Sequence, residues 1–361
     1  MARSRHETPT LPALFAVVLP GLEEVAAEEI EKRLGGEVKK TSRGVVVFRL
    51  EAIDRRVLSL RTTEDVFLLA WGSDSLSYRA ADLAEIEKWT ARKPDWPELL
   101  RLHHTIRPRP RGKPTYRLVA QMEGMHGYRR TDAGKAMGRG LGGVFPDSWK
   151  PAEENASIEV WLCIDGAVAV CGVRLSDRTM RHRQYKDEHR PASLRPTVAA
   201  AMCWIAGARA GEALLDPMCG AGTILAEAWE MGKGQVRVLG GDIERGAVRD
   251  AGQNLMRLGE IGLARWDARH LPLEPRSIDH VVSNPPFGKQ LASPEEVVPL
   301  YRAMVREYDR VLKPGGQAVL LTADADALRE ACEAVGWKGK RRLRVLVLGQ
   351  MATLGVWRKP A

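Results

Sequence analysis

Cysteine is scarce and unpatterned in this 361-residue sequence: Cys163, Cys171, Cys203, Cys219 and Cys332 are scattered, odd in number, with no CxxC pair and no histidines at ligand spacing. That points to neither a disulfide framework nor a zinc site, and no metal is expected. Long apolar runs are missing too. No stretch of about 18 apolar residues exists to span a bilayer, so a membrane protein is not expected. The opening MARSRHETPT lacks the apolar core and small-residue cleavage site of a secretory signal. A cytoplasmic location is expected, and no obligatory protein partner is evident, so a monomer is expected. Residues 1–12 match no pattern and are expected to form a disordered extension.

Acidic residues are thin in one region. Across residues 101–150 only Glu123, Asp132 and Asp147 oppose eleven lysines and arginines, in a chain of formal charge +9. Arg107, Arg109, Arg111, Lys113, Arg129, Arg130, Lys135 and Arg139 are therefore the expected contacts to a polyanion, since cations against phosphates give sequence-independent affinity. A solvated face is the plainer alternative. Tyr116 and Tyr128, in the same block, suit stacking on exposed bases or, for Tyr116 above all, core packing.

The length allows two or three compact units. Residues 13–70 alternate short apolar runs with LEEVAAEEIEKRLGG, where Val25, Ile30 and Leu34 recur at helical spacing before a glycine pair, as in a small α/β domain. Residues 71–175 hold an acidic helix around Asp82 to Lys88, a loop-like RKPDWPELL, the strand TYRLVAQ, a glycine-rich helix DAGKAMGRGLGGVF, and two strands around an Asp165–Gly166 turn. Residues 176–190 read as a polar linker. From 191 to 361 helical and strand patterns alternate. They predict an α/β fold with a doubly wound, mostly parallel sheet and an antiparallel edge hairpin linked at Gln350 and Met351.

In that last region the strand EALLD runs into PMCGAGT and a helix. Asp216, Pro217, Gly220, Gly222 and Thr223 thus follow the first strand at its carboxyl end, where open α/β sheets bind ligands. Glycines let backbone approach a ligand, and a helix N-terminus favours a carboxylate. Alone, such a turn also suits a tight connection or a dinucleotide. Two further acids add weight. Asp242, followed by Ile243, ends the second strand, placed to accept from ribose hydroxyls; Asp267, followed by Ala268, ends the third, placed to accept from an adenine amino group. Each acid singly also suits a cap or turn.

The fourth strand, IDHVVSN, ends in Asn284, Pro285, Pro286 and Phe287. An exocyclic amino nitrogen of guanine or adenine is a poor nucleophile, because its lone pair is delocalised into the ring. The amide oxygen of Asn284, which also borders the cofactor loop, and the carbonyl of Pro285 can each accept one N–H and turn that lone pair toward a methyl group. The prolines fix the backbone, and Phe287 is suited to stack on a base turned out of its helix. The alternative is that NPP merely breaks the strand. Cys219 lies inside the glycine loop, where small size explains it better than a nucleophilic role.

DPMCGAGTILAEA, GDIE, NPPFG and LKPGG resemble the S-adenosylmethionine motifs of class I methyltransferases of the RNA guanine-N2 branch. PGLEEVAAEEI, Val119 with Ala120, GMHGYRRTDAGKAMGRGL and RPASLRPTVAAAM are similar to the TrmN-type tRNA methyltransferases, a resemblance that spans nearly the whole chain. It implies a ferredoxin-like domain (13–70), a THUMP RNA-binding domain (71–175) and a Rossmann-like class I methyltransferase domain (191–361). It further implies S-adenosyl-L-methionine as cofactor, held by Asp216, Gly220, Gly222, Asp242 and Asp267. Asn284 through Phe287 would then hold and activate a guanine, with tRNA as partner and guanine 6 of the acceptor stem as target. A 23S rRNA guanine-N2-methyltransferase is the nearest alternative, although no second methyltransferase module is present. Protein glutamine N-methylation sits poorly with the basic block. A non-catalytic RNA-binding protein sits poorly with filled cofactor positions. No SGGxDS-type loop points to thiouridine synthesis.

Overall fold

The computed structural model describes residues 11–109, 112–188, 190, 193–286, 294–347 and 349–361; most of the expected N-terminal extension, Arg111 and Phe287 lie outside the described residues. The chain forms two compact units. One reaches Val18 and resumes over Ala27–Met180, and the other comprises Leu19–Ala26 and Arg181–Ala361.

The first unit begins with β1 (Leu14–Val17); the chain then forms α1 (Glu23–Glu29), which widens into a π-type turn over Ile30–Leu34 and stops where Gly35 turns left-handed. Next come β2 (Glu37–Ser42), β3 (Val45–Arg49), β4 (Asp65–Ser73), α2 (Asp82–Arg92), α3 (Trp96–Ile106), β5 (Thr115–Glu123), α4 (Arg130–Gly140), β6 (Lys150–Pro151), β7 (Ile158–Asp165) and β8 (Val168–Arg174). They build one eight-stranded sheet in the order β2-β3-β1-β4-β8-β7-β5-β6. β1 lies antiparallel between β3 and β4.

Two expectations change here. The boundary placed at residue 70 falls inside β4, which pairs with β1 through Asp65–Leu68 and with β8 through Phe67–Ser73, so residues 13–70 and 71–175 share one sheet. DVFLLAWGS is apolar straight across that point and offers no break before Gly72. RKPDWPELL is not a loop either. Asp95 accepts from the Glu98 N–H at 3.1 Å and Pro97 sits in the first turn, so the residues that read as breakers start α3.

The second unit contains α5 (Pro196–Ala206), β9 (Ala213–Asp216), α6 (Thr223–Met231), β10 (Arg237–Asp242), α7 (Arg245–Leu255), β11 (Gly262–Arg265), β12 (Ile278–Ser283), α8 (Pro294–Val311), β13 (Leu312–Thr322), α9 (Ala325–Ala334), β14 (Lys338–Val347) and β15 (Gln350–Arg358). Their sheet order is β11-β10-β9-β12-β13-β15-β14. All neighbours are parallel except β15, which runs antiparallel to both β13 and β14. Gln350 and Met351 begin β15 instead of linking the hairpin. The chain builds outward from β9 to β11, then returns to lay β12 on the other side of β9. The switch point between β9 and β12 is where such folds bind ligands. Fully buried Tyr301, Met304, Val305 and Tyr308 of α8 pack with Leu215, Val281 and Leu320 of the sheet.

The linker expected over 176–190 is only partly one, because the second unit starts at Arg181. Fully buried Glu227 of α6 accepts from Arg183 Nε at 3.1 Å and Tyr185 Oη at 2.7 Å. Asn254 of α7 holds the Glu188 backbone through its N–H at 2.8 Å and its carbonyl at 3.1 Å. Glu227→Ala, which removes the buried carboxylate shared by Arg183 and Tyr185, is expected to destabilise the protein by about 3 to 5 kcal/mol in denaturant titration. A change within about 0.5 kcal/mol, ordinary for a surface site, would show that other contacts hold this segment.

Candidate active site

A cavity of about 560 Å³ is lined by residues that end or follow β9, β10, β11 and β12. Asp216, Pro217, Gly220, Thr223, Asp242, Ile243, Asp267, Ala268 and Asn284, all named from the sequence as cofactor contacts, line it together. Gly222 stands behind the wall and caps α6 at φ 78°, where a Cβ would come within 3.1 Å of Leu255. Gly220 differs. At φ 53° it has nothing within 4 Å of a Cβ position, so bare backbone faces open space.

Three carboxylates shape the electrostatics. Asp216 is fully buried, and its Oδ1 accepts from Ser283 Oγ at 2.8 Å and from the Met218 N–H at 3.2 Å. Burial, reinforced by the nearby Asp242 carboxylate, pushes its carboxyl up to about 7 against those bonds. Asp242 accepts the Gly220 N–H and the Glu244 N–H, each at 3.0 Å, clipping the glycine loop to the end of β10. Asp267 accepts a fork of bonds from Arg269, the shortest 2.6 Å, which hold its carboxyl below the usual range. Burial beside Asp216 and Asp242 drives the Cys219 thiol well above its ordinary value, so it is no thiolate nucleophile.

The segment expected to be catalytic leaves β12 beside this cavity. Asn284 and Pro286 line it, and Pro285 is buried. Asn284 Oδ1 is buried without a hydrogen-bond partner among the described residues. Leaving such an acceptor unpaired costs about 1 to 3 kcal/mol, a cost removed by a ligand N–H. The Pro286 carbonyl accepts from Tyr301 Oη at 3.4 Å, and Tyr301 shares a 2.7 Å bond with Thr322 at the end of β13. Sequence reasoning missed Arg190, Ser193, Glu244 and Arg269 in the lining. Arg190 bridges Glu244 and Asp250, but it sits in a stretch whose polar composition reads as linker.

In the first unit Arg109, Lys113, Arg129, Arg130 and Lys135 are exposed. Arg107 pairs with Asp177 at 2.8 Å and Arg139 with Glu87 at 2.6 Å, so intramolecular carboxylates already engage both cations. Tyr128 is buried with its hydroxyl on Asp82, which rules it out as a stacking platform; the Tyr116 ring stacks on Phe145 at 4.7 Å.

A family model for an RMKL-like methyltransferase domain matches residues 183–352, close to the start of the second unit. The tRNA (guanine(6)-N2)-methyltransferase of Thermus thermophilus is 31% identical over 326 residues, covering 88% of this chain and 91% of that protein. The chain belongs to the TrmN-type methyltransferase family. The crystal structure of TrmN from Thermus thermophilus matches this TrmN-type chain with a TM-score of 0.78 and 27% identity, over 96% of this chain and 99% of that one. The U6 snRNA (guanine-N(2))-methyltransferase of Mus musculus is 35% identical over 196 residues, 54% of this chain and 35% of that protein.

Asp216 sets a pH test for this TrmN-type site. Its raised carboxyl contributes stability that is fully present below the ordinary value of 3.8 and is lost as pH rises through about 7. The loss is on the order of 4 kcal/mol. Denaturation of the unliganded protein at about pH 5 and about pH 8 should show this decline, and Asp216→Asn should flatten it. An unchanged slope in Asp216→Asn would assign the decline to other groups.

Proposed function

We propose that this TrmN-type enzyme uses S-adenosyl-L-methionine to methylate the N2 amino group of a guanine in tRNA, at guanine 6 of the acceptor stem. The observation that carries the reading is the buried Oδ1 of Asn284, without a partner among the described residues, on the wall of a cavity whose lining includes Asp216, Asp242, Glu244 and Asp267. Those acids suit a donor bearing sulfonium and ammonium charges, Gly220 admits it to the backbone, and Ile243, 54% exposed, offers an apolar face for an adenine ring. S-adenosyl-L-methionine supplies an electrophilic methyl group when bound.

The chain's own part is orientation. Asn284 Oδ1 accepts one N–H of the guanine amine, which loosens the lone pair from the ring and fixes its direction. Tyr301 and Thr322, through the Pro286 carbonyl, hold the loop so that this acceptor needs no rearrangement when the base arrives. Guanine and tRNA are supported by kinship, since the Thermus relative acts on guanine 6 of tRNA. The exposed cations of the first unit supply phosphate contacts that position RNA without reading its sequence.

Purified protein is expected to transfer labelled methyl from S-adenosyl-L-methionine to a tRNA transcript with guanine at position 6, and not to one with adenine there. No incorporation into either transcript overturns the reading. Asn284→Ala should lower kcat about a hundredfold or more while leaving cofactor affinity nearly intact; collapse of cofactor affinity would mean that Asn284 holds the donor instead. Replacing Arg129 and Arg130 together by Ala should weaken tRNA binding and reduce its salt slope by about two. Unchanged affinity would place the docking face elsewhere.

A further inference from the structure

The β14–β15 hairpin carries charge that the cofactor site does not use. Between Lys338 and Lys359 there are seven lysines and arginines and no aspartate or glutamate. Three of the seven are engaged: Arg341 pairs with Glu24, Arg358 donates to the Gly315 carbonyl, and Lys359 pairs with Asp309. Along β14 the two-residue period leaves Lys340, Arg342 and Arg344 exposed on one face while Val345 and Val347 are buried on the other. None of these three cations meets an acid among the described residues. Like charges so arranged repel one another, and a polyanion would relieve that repulsion.

The sheet register places this row near the catalytic loop. Ser283 of β12 pairs with Leu320 of β13, Leu320 with Gly355 of β15, and Gly355 with Arg342. Arg342 therefore stands three strand spacings, about 14 Å, from the residue before Asn284. Arg344 pairs with Thr353, which pairs with Thr322 at the carboxyl end of β13, so it lies further toward the end of the sheet that carries the cavity. Beyond it Leu346 and Met351, paired across the hairpin, are 36% and 48% exposed. Two arginines beside an apolar pair suit a ribose-phosphate backbone, because guanidinium forks match phosphate oxygens. Cations also guard sheet edges against self-association. Here the edge of β14 is already met by chain, with the Leu346 N–H donating to the Pro20 carbonyl at 3.4 Å.

We propose that Lys340, Arg342 and Arg344 form a phosphate-binding surface for the RNA strand adjoining the target guanine. The proposal rests on the RNA-methylating reading above. Its test is the full-length protein carrying Lys340→Gln, Arg342→Gln and Arg344→Gln together. At salt concentrations from about 50 to about 200 mM its KM for tRNA should exceed the wild-type value about tenfold or more, and the slope of log affinity against log salt should fall by about three. Both kcat at saturating tRNA and affinity for S-adenosyl-L-methionine should stay at wild-type values. The Arg342→Lys, Arg344→Lys protein should retain most of the affinity. Should the triple variant not fold, the single Arg342→Gln and Arg344→Gln proteins should each lose about one in slope. Wild-type tRNA affinity and salt slope in these variants, with or without new self-association, would overturn the proposal and leave the edge-guarding role. Failure of the wild-type protein itself to bind or methylate tRNA would instead fell the functional reading, and this surface with it.

Discussion

One side-chain hydrogen bond links the carboxyl ends of the two strands on either side of the site: Ser283 Oγ donates to Asp216 Oδ1 at 2.8 Å. Asp216 ends β9 and Ser283 ends β12, the two strands that flank the switch point. The next residues along one strand form the glycine loop, and the next along the other form the loop proposed as catalytic. Fixing one carboxylate to one hydroxyl therefore fixes the cavity wall relative to Asn284. The bond lies in a fully buried setting, where a lost partner is far more costly than at the surface. The same burial raises the Asp216 carboxyl, so the anchor of the site is itself sensitive to pH.

Asp242 and Asp267 bear on a choice that their sequence positions left open. Each was suited either to a turn or to a ligand, and the structure gives each a turn bond without exhausting it. A carboxylate has about four acceptor positions, and Asp242 uses two on the Gly220 and Glu244 N–H groups. Two remain for hydroxyls in the cavity. Asp267 is more heavily engaged, because the Arg269 guanidinium covers both of its oxygens. The bonds that order the loop thus leave acceptor capacity on Asp242, as the proposed function requires of a loop ordered before its ligand arrives.

What was legible in the sequence was local or periodic. Glycines before a helix, acids after strands, and an NPP after the fourth strand all announce themselves within a few residues, and all but Gly222 and the undescribed Phe287 are found around one cavity or its loop. What was not legible depends on partners far along the chain. Glu227 reads as a surface acid on a helix, yet it is the buried anchor of Arg183 and Tyr185, more than 40 residues earlier. The same distance hides Arg190 in a polar stretch that composition alone assigns to a linker. Trp96 and Pro97 failed differently: proline and aspartate serve both turns and helix starts, and only the Asp95 cap decides between them. The exposed cations of β14 drew no attention because the valines and leucines between them mark a strand, and a strand motif does not say which face meets solvent.

The division of labour follows from the chemistry of each part. Phosphate contacts give affinity without reading bases, so neither the cations of the first unit nor those of β14 can choose a guanine. Under the proposed function, that choice falls to the small set of groups at Asn284, which would recognise an amino group held in one orientation. The relatives are named for methylating guanine N2 in tRNA and in U6 snRNA, so the atom modified is the same while the RNA differs. A catalytic pocket that reads only a base edge tolerates such changes of RNA, provided that the surfaces holding the backbone change with it. Specificity for a position in a folded RNA is then a property of those basic surfaces, and the loop at Asn284 can stay fixed while they diverge.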